Sequence, residues 1–93
     1  MDHYIIVKFK DRQDRTRLLP EIRELFSAST EISGVENVQV IPCCSERPNR
    51  YDLLIRLTMR PEALPLYDDS EMHHRWKAQY GERIEQKAIF DCD

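Results

Sequence analysis

Several features that would place this chain in a broad functional class are missing from its 93 residues. No apolar run approaches the roughly twenty residues that span a bilayer. The first residues, Met1 to Tyr4, lack the basic region and apolar segment of a secretory signal. We therefore expect a cytoplasmic protein that does not associate with membranes.

Cysteines are few and are not spaced as a framework. Cys43, Cys44 and Cys92 form neither an even set for disulfides nor a separated pair of metal-ligand hooks. Neighbouring cysteines bridge only with a strained backbone, and redox motifs separate the two thiols by two residues. The sequence predicts reduced thiols without a redox role.

An excess of basic residues is also absent, since the net charge is -3. Nucleic-acid affinity depends largely on clustered Lys and Arg, and the aromatic-glycine motif of RNA-binding sheets is not found. We expect no nucleic-acid partner. The basic residues between Lys8 and Arg17 alternate with Asp11 and Asp14, which is typical of a solvated face.

What is present suits one small folded domain covering residues 1–93. Hydrophobic residues make up 41% and charged residues 33% of the chain, enough for a single core beneath a highly charged surface. The sequence has no internal repeat or low-complexity tract.

Two segments alternate with the period of a β-strand. Residues 3–9 place His3, Ile5 and Val7 on one face, with Tyr4 and Ile6 on the other. Residues 51–59 repeat the pattern, and that strand is predicted to begin at Tyr51. Shorter strands are predicted after Gly34 and over residues 88–92.

Two apolar stripes have helical spacing. The first consists of Leu18, Ile22, Leu25, Phe26 and Ser29, and the second consists of Met72, His73, Trp76, Tyr80 and Ile84. Thr16 is predicted to cap the first helix, with Pro20 in its first turn and Gly34 in a left-handed turn after it. Pro61 is predicted to begin a short intermediate helix that Pro65 limits.

The order of elements is strand, helix, strand, strand, helix, strand. This order predicts an α+β fold of ferredoxin-like βαββαβ topology, with helices on one face of a four-stranded antiparallel sheet. The other face would expose Tyr4, Ile6 and Leu54, at about 25 cal/mol per Å² of apolar surface. We therefore predict a homodimer that covers this face.

Five short segments, taken in order, carry a family resemblance. They are HYIIVKFK at 3–10, GV at 34–35, NRYDLL at 49–54, YDDSEMH at 67–73 and IFD at 89–91. Together they resemble the stress-responsive A/B barrel (Dabb) family over nearly the whole chain. The resemblance implies a dimeric α+β barrel in which two four-stranded sheets pack face to face.

The resemblance also implies a candidate catalytic pair. A plant relative is a polyketide cyclase whose tyrosine and histidine match Tyr67 and His73, whereas most bacterial members have no assigned reaction. Ser70 and Glu71 depart from the His-Pro that family members commonly carry at these positions. On this hypothesis His73 is a general base and Tyr67 donates a hydrogen bond to a carbonyl or enolate oxygen.

Three functions follow from these observations. The first is a small dimeric protein of unassigned activity that binds an apolar or carbonyl-bearing ligand between sheet and helices, in a pocket lined by His3, Ile5, Val7, Leu53, Ile55, Tyr67, His73, Trp76 and Tyr80. The second is a cofactor-independent cyclase or lyase that uses Tyr67 and His73. The third is a structural dimerisation module in which those side chains satisfy one another inside a filled core.

Neither a metal nor a cofactor is expected. His73, His74 and Glu71 are the only candidate ligand set, and neighbouring helical residues point about 100° apart. We expect His74 and Arg75 to face solvent.

Overall fold

The computed structural model describes every residue from Met1 to Asp93, and its four strands form one sheet. The strands are β1 (Asp2–Phe9), β2 (Val35–Pro42), β3 (Leu53–Met59) and β4 (Ile84–Cys92). Their order across the sheet is β2-β3-β1-β4, and all three neighbouring pairs are antiparallel. The predicted ferredoxin-like α+β topology is confirmed.

The helices connect the strands on one side of this sheet. They are α1 (Asp14–Arg17), α2 (Leu19–Ser27), α3 (Ala63–Asp68) and α4 (Glu71–Tyr80), with 3-10 turns at Ala28–Glu31 and Gly81–Arg83. None of the helices has both the length and the apolar character that crossing a membrane requires.

The core lies between the sheet and the helices. Alternate residues of β1 and β3 are fully buried there, as the strand period predicts. The first helical stripe is also buried, and Phe26 of α2 meets Trp76 of α4 edge to face with ring centroids 5.0 Å apart. Each large apolar side chain buried in this layer contributes about 1.5–3 kcal/mol to folding.

The start of the first helix differs from the prediction. Thr16 is not a cap, because α1 already begins at Asp14, where the Asp11 carboxylate accepts the N–H of Gln13 at 3.0 Å. The helix is then interrupted at Leu18 and resumes as α2. Pro20 has no N–H to donate to the carbonyl four residues earlier, which accounts for the interruption.

Two further boundaries were wrong. Tyr51 lies outside β3, which begins at Leu53, because the side chain of Asp52 turns inward to bind other parts of the chain. Ile84 is not part of the α4 stripe but the first residue of β4, since the helix ends at Tyr80 and a 3-10 turn follows. The closing strand is therefore longer than predicted.

The turn into β2 confirms the expectation for Gly34, which has a φ of 89°. A Cβ atom at this position would lie 2.9 Å from the Cβ of Ala63. Both the backbone conformation and the close approach of α3 therefore favour glycine here. Pro61 does not begin α3; it precedes the helix, and Pro65 is accommodated in the first turn.

The face of the sheet opposite the helices has no cover within the chain. Tyr4, Ile6 and Leu54 are half-buried there, and the predicted dimer face is thus the bare face of the sheet. Phe90 of β4 joins them: it is 59% exposed, and its ring centroid lies 6.3 Å from that of Tyr4. Apolar side chains on this face therefore come from β3, β1 and the edge strand β4.

The loop between β2 and β3 is held by hydrogen bonds to β1 and to Arg12. Asp52 is 1% exposed, and its carboxylate accepts the N–H of Phe9 at 2.8 Å and the Nε–H of Arg12 at 3.1 Å. The remaining nitrogens of Arg12 donate to the carbonyl oxygens of Ser45 and Glu46. Sequence periodicity gave no sign of this buried carboxylate.

Candidate functional site

The predicted catalytic tyrosine lies at the centre of a buried cluster. Tyr67 is on α3, its side chain is 0% exposed, and its hydroxyl has no hydrogen-bond partner. Burial is the main cause that raises the pKa of Tyr67 well above its ordinary value, with a smaller contribution from the Asp68 charge. The phenol therefore stays protonated at physiological pH, and its neutral hydroxyl can donate a hydrogen bond but cannot act as a phenolate base.

One imidazole approaches Tyr67 from the sheet. His3 of β1 is 5% exposed, and its ring meets the Tyr67 ring edge-on with centroids 5.5 Å apart. Its Nδ1 lies 2.5 Å from a carboxylate oxygen of Asp91, which is the residue that pairs with His3 across β1 and β4. Sequence reasoning did not assign Asp91 to the site, because only the register of the two strands brings it beside His3.

The second imidazole approaches from α4. The ring of His73 lies 4.7 Å from that of Tyr67, and its Nδ1 is 2.9 Å from the carbonyl oxygen of Asp68. A carbonyl only accepts, so Nδ1 carries the proton and Nε2 has a free lone pair in the neutral ring. Burial is the largest cause that lowers the pKa of His73, which favours this neutral form at pH 7.

Ser70, one of the departures from the family pattern, has a structural role. It is the N-cap of α4, and its hydroxyl oxygen accepts the backbone N–H of His73 at 3.2 Å. Capping of this kind fixes the first turn of a helix, and hence the position of a side chain on it. The serine therefore places His73 against Tyr67.

The two predicted histidines do not touch each other; they contact Tyr67 from different sides. The other residues predicted to line a pocket are distributed differently. The apolar members are packed in the core, at 0–2% exposure: Ile5, Val7, Leu53, Ile55 and Trp76. The ligand pocket predicted among them stays a prediction.

A cavity of about 840 Å³ lies between α2 and α4 instead. Of the predicted lining residues it includes only Tyr80, whose hydroxyl donates to Glu21 at 2.9 Å. Burial, followed by this bond, raises the pKa of Tyr80 to about 12. Tyr80 thus provides a satisfied tyrosine in the same protein for comparison with Tyr67.

The unused hydroxyl of Tyr67 differs from the two other buried polar atoms that lack a hydrogen bond, Asp14 Oδ1 and Arg56 Nε. Asp14 binds Arg83 through its other oxygen, and Arg56 binds Asp2 through Nη2. Only at Tyr67 is the entire polar group without a partner. A buried hydroxyl left unbonded costs about 1–3 kcal/mol, so this group is the strongest sign of a function in the core.

The other residues considered in the sequence do not come together in a second site. His74 and Arg75 are exposed, as predicted, and all three cysteines are free. The structure contains no group of three or more His, Cys, Asp or Glu side chains that could hold a metal ion.

Comparisons with known proteins identify the architecture. No family model matches the sequence, and no curated protein matches it. Solved structures do match. A dimeric protein of unknown function and ferredoxin-like fold from Bacteroides fragilis has a TM-score of 0.81 and 13% identity, with 99% of this chain and 93% of that chain covered. The chain has a ferredoxin-like fold.

Two other ferredoxin-like structures are similar over nearly their whole lengths. One is a Dabb family protein from Mesorhizobium loti, with a TM-score of 0.76, 18% identity, and coverage of 99% of this chain and 93% of that chain. The other is a dimeric ferredoxin-like protein of unknown function from Jannaschia sp., with a TM-score of 0.76, 16% identity, and coverage of 99% and 96%. These likenesses support the predicted Dabb resemblance at the level of the fold.

Proposed function

We propose that this chain is a Dabb-like domain that forms a homodimer and binds a small carbonyl-bearing molecule at Tyr67. The ferredoxin-like fold and the five resembling segments support the family. The observation that carries the binding proposal is the fully buried Tyr67 hydroxyl, which has no hydrogen-bond partner and belongs to a ring that two imidazoles contact.

The bare face of the sheet supports the homodimer. Its apolar centre includes the half-buried Tyr4, Ile6 and Leu54 and the exposed Phe90. A second copy would bury this surface against an identical one, as in isologous two-fold interfaces. Similar ferredoxin-like structures are described as dimeric.

The dimer is tested by sedimentation of the purified chain beside Leu54→Arg, which adds a charge to the centre of the bare face. The chain is expected to sediment as a dimer at micromolar concentration and the variant as a folded monomer. The matched control is Leu66→Arg, because Leu66 is 52% exposed on α3 and lies away from the sheet. A monomeric parent chain would overturn the proposal.

Binding at Tyr67 follows from the geometry of its neighbours. The hydroxyl can donate to a carbonyl oxygen, which lacks a proton of its own and is a good acceptor. His73 packs on the Tyr67 ring and is only partly buried, whereas Tyr67 is fully buried, so we propose that a ligand enters past this imidazole. On the other side, the Asp91 contact holds His3 against the ring.

Ligand binding is tested by NMR titration with 2-pentanone and linear polyketide analogues. Resonances of Tyr67, His3 and His73 are expected to shift, and Tyr67→Phe is expected to weaken binding about tenfold by removing one hydrogen bond. Tyr80→Phe, which removes a hydroxyl already bonded to Glu21, is the matched control. No shift at this cluster with any probe would favour the structural module, in which the core is simply filled.

A second candidate function is supported by the free Nε2 of His73. A neutral imidazole whose Nδ1–H is held by the Asp68 carbonyl can remove a proton next to a ligand carbonyl. The carbon–hydrogen bond breaks, its electrons move to the carbonyl oxygen, and the Tyr67 hydroxyl stabilises the resulting enolate. This is the first step of an aldol-type cyclisation.

Turnover separates the enzyme from the binding protein. Cyclised product from a linear polyketide, lost in His73→Ala and reduced in Tyr67→Phe, would support the cyclase. Activity that both variants retain would remove these residues from any mechanism. Binding without product would leave ligand binding as the function.

A further inference from the structure

Two lysines lie near the solvent side of His73. Lys77 follows His73 by four residues on α4, so their side chains emerge from the same face of the helix, about one turn apart. Lys87 belongs to β4, where it pairs with Val7 and shares the helix-facing side of that strand with Ile89 and Asp91. The helix and the strand beside the site therefore each carry one lysine.

Neither ammonium group is neutralised by a partner in the chain. Lys77 and Lys87 take part in no salt bridge or side-chain hydrogen bond, whereas Lys8 lies 3.7 Å from a carboxylate oxygen of Glu85. The positive charges of both lysines act on His73 and help to lower its pKa, against an opposing contribution from Asp68. Asp91 is already engaged by His3.

The surface between the site and Lys87 is apolar. Ile89 lies two residues from Lys87 and two from Asp91, on the same side of β4, and it is 51% exposed. No helix of the chain covers it. A short hydrocarbon segment could contact Ile89 while a polar group at either end reached the cations and the buried phenol.

We propose that the natural ligand is a keto acid, with its carbonyl oxygen bound by Tyr67 and its carboxylate held between Lys77 and Lys87. The inference rests on the proposed binding at Tyr67 and adds the ligand's charge. A carboxylate accepts charge-assisted hydrogen bonds from both ammonium groups, and these are about twice as strong as neutral ones. The lysines thus select an anionic carbonyl compound over a neutral ketone.

The test compares two probes of nearly equal shape, 4-oxopentanoate and its methyl ester, titrated into the full chain and followed by NMR. Both carry the same ketone, but only the first is an anion. The acid is expected to bind about tenfold more tightly at low salt, and this preference shrinks as ionic strength rises. Signals of Tyr67 and His73 should shift with both probes.

Variants assign the preference to the lysines. The double variant Lys77→Met, Lys87→Met is expected to bind the two probes equally. Lys10→Met is the matched control, because Lys10 is an exposed lysine whose side chain has no partner in the chain. It is expected to keep the full preference for the acid.

The outcomes separate this inference from the proposed function. If the acid and the ester bind equally, or if the double variant keeps the preference, the keto acid is excluded and carbonyl binding at Tyr67 stands. If neither probe shifts Tyr67 or His73, both proposals fail.

Discussion

Two buried polar side chains of this small protein differ in whether their polar atoms are hydrogen-bonded. Asp52 is enclosed beside the β2–β3 loop and is bonded by the N–H of Phe9 and by Arg12. Tyr67 is enclosed as completely, yet its hydroxyl is bonded to nothing. Since polar groups buried for structural reasons are nearly always satisfied, the contrast separates a residue that holds the fold together from the one at which we propose ligand binding.

Removing the satisfied group should have the largest effect. Asp52→Ala would leave the Phe9 N–H and the Arg12 Nε–H without their acceptor, and we expect the free energy of unfolding to fall by about 3 kcal/mol. Urea denaturation measures this loss. Glu36→Ala, which removes an exposed carboxylate without a partner, should change stability by less than about 0.5 kcal/mol. Equal effects of the two variants would contradict the assigned role of Asp52.

Deleting a hydroxyl from each of two tyrosines sharpens the comparison. Tyr80→Phe breaks the bond to Glu21 and is expected to cost about 1 kcal/mol. Tyr67→Phe removes an unbonded group and should leave stability unchanged or raise it by up to about 1 kcal/mol. Thermal or urea unfolding of both variants checks the order. A larger loss at Tyr67 would show that its hydroxyl already has a partner.

The smallest expected effect is on how the free energy of unfolding depends on pH. The pKa of folded His73 lies below its ordinary value of 6.5, so the unfolded chain binds this proton more readily. Stability from this source is present above pH 6.5 and is lost as pH falls through that region. His73→Gln should make the dependence shallower between about pH 5 and 7. Unfolding curves across pH compare this variant with the unchanged chain.

Periodicity was sufficient for most of the fold. The alternation in β1 and β3 and the helical stripe from Leu18 to Ser29 depend only on which side of each element is buried, and those patterns are local. The predicted boundaries of helices and strands were wrong where a single side chain determined where the element begins. Asp11 binds the turn where α1 begins, ahead of Thr16, and the inward-turned Asp52 precedes β3, which begins at Leu53 and not at Tyr51.

The candidate site could be predicted only in part. Tyr67 and His73 came from a resemblance, and His3 from the face of its strand, so the residue types were available from the sequence. Asp91 was not, because its contact with His3 exists only once β4 pairs with β1 in one register. The missing partner of the Tyr67 hydroxyl could not be foreseen either, since sequence shows which groups are polar but not which are satisfied.

The contacts of the β2–β3 loop bear on how freely its sequence can be changed. Arg12 and Arg15 donate hydrogen bonds to main-chain carbonyl oxygens of the loop, those of Ser45 and Glu46. Any amino acid offers the same oxygen, but Glu46 also accepts from Arg15 through its carboxylate at 2.7 Å, and the Ser45 hydroxyl oxygen accepts the N–H of Arg47 at 3.1 Å. A substitution at Glu46 would therefore keep the main-chain bond to Arg12 while losing the side-chain bond to Arg15.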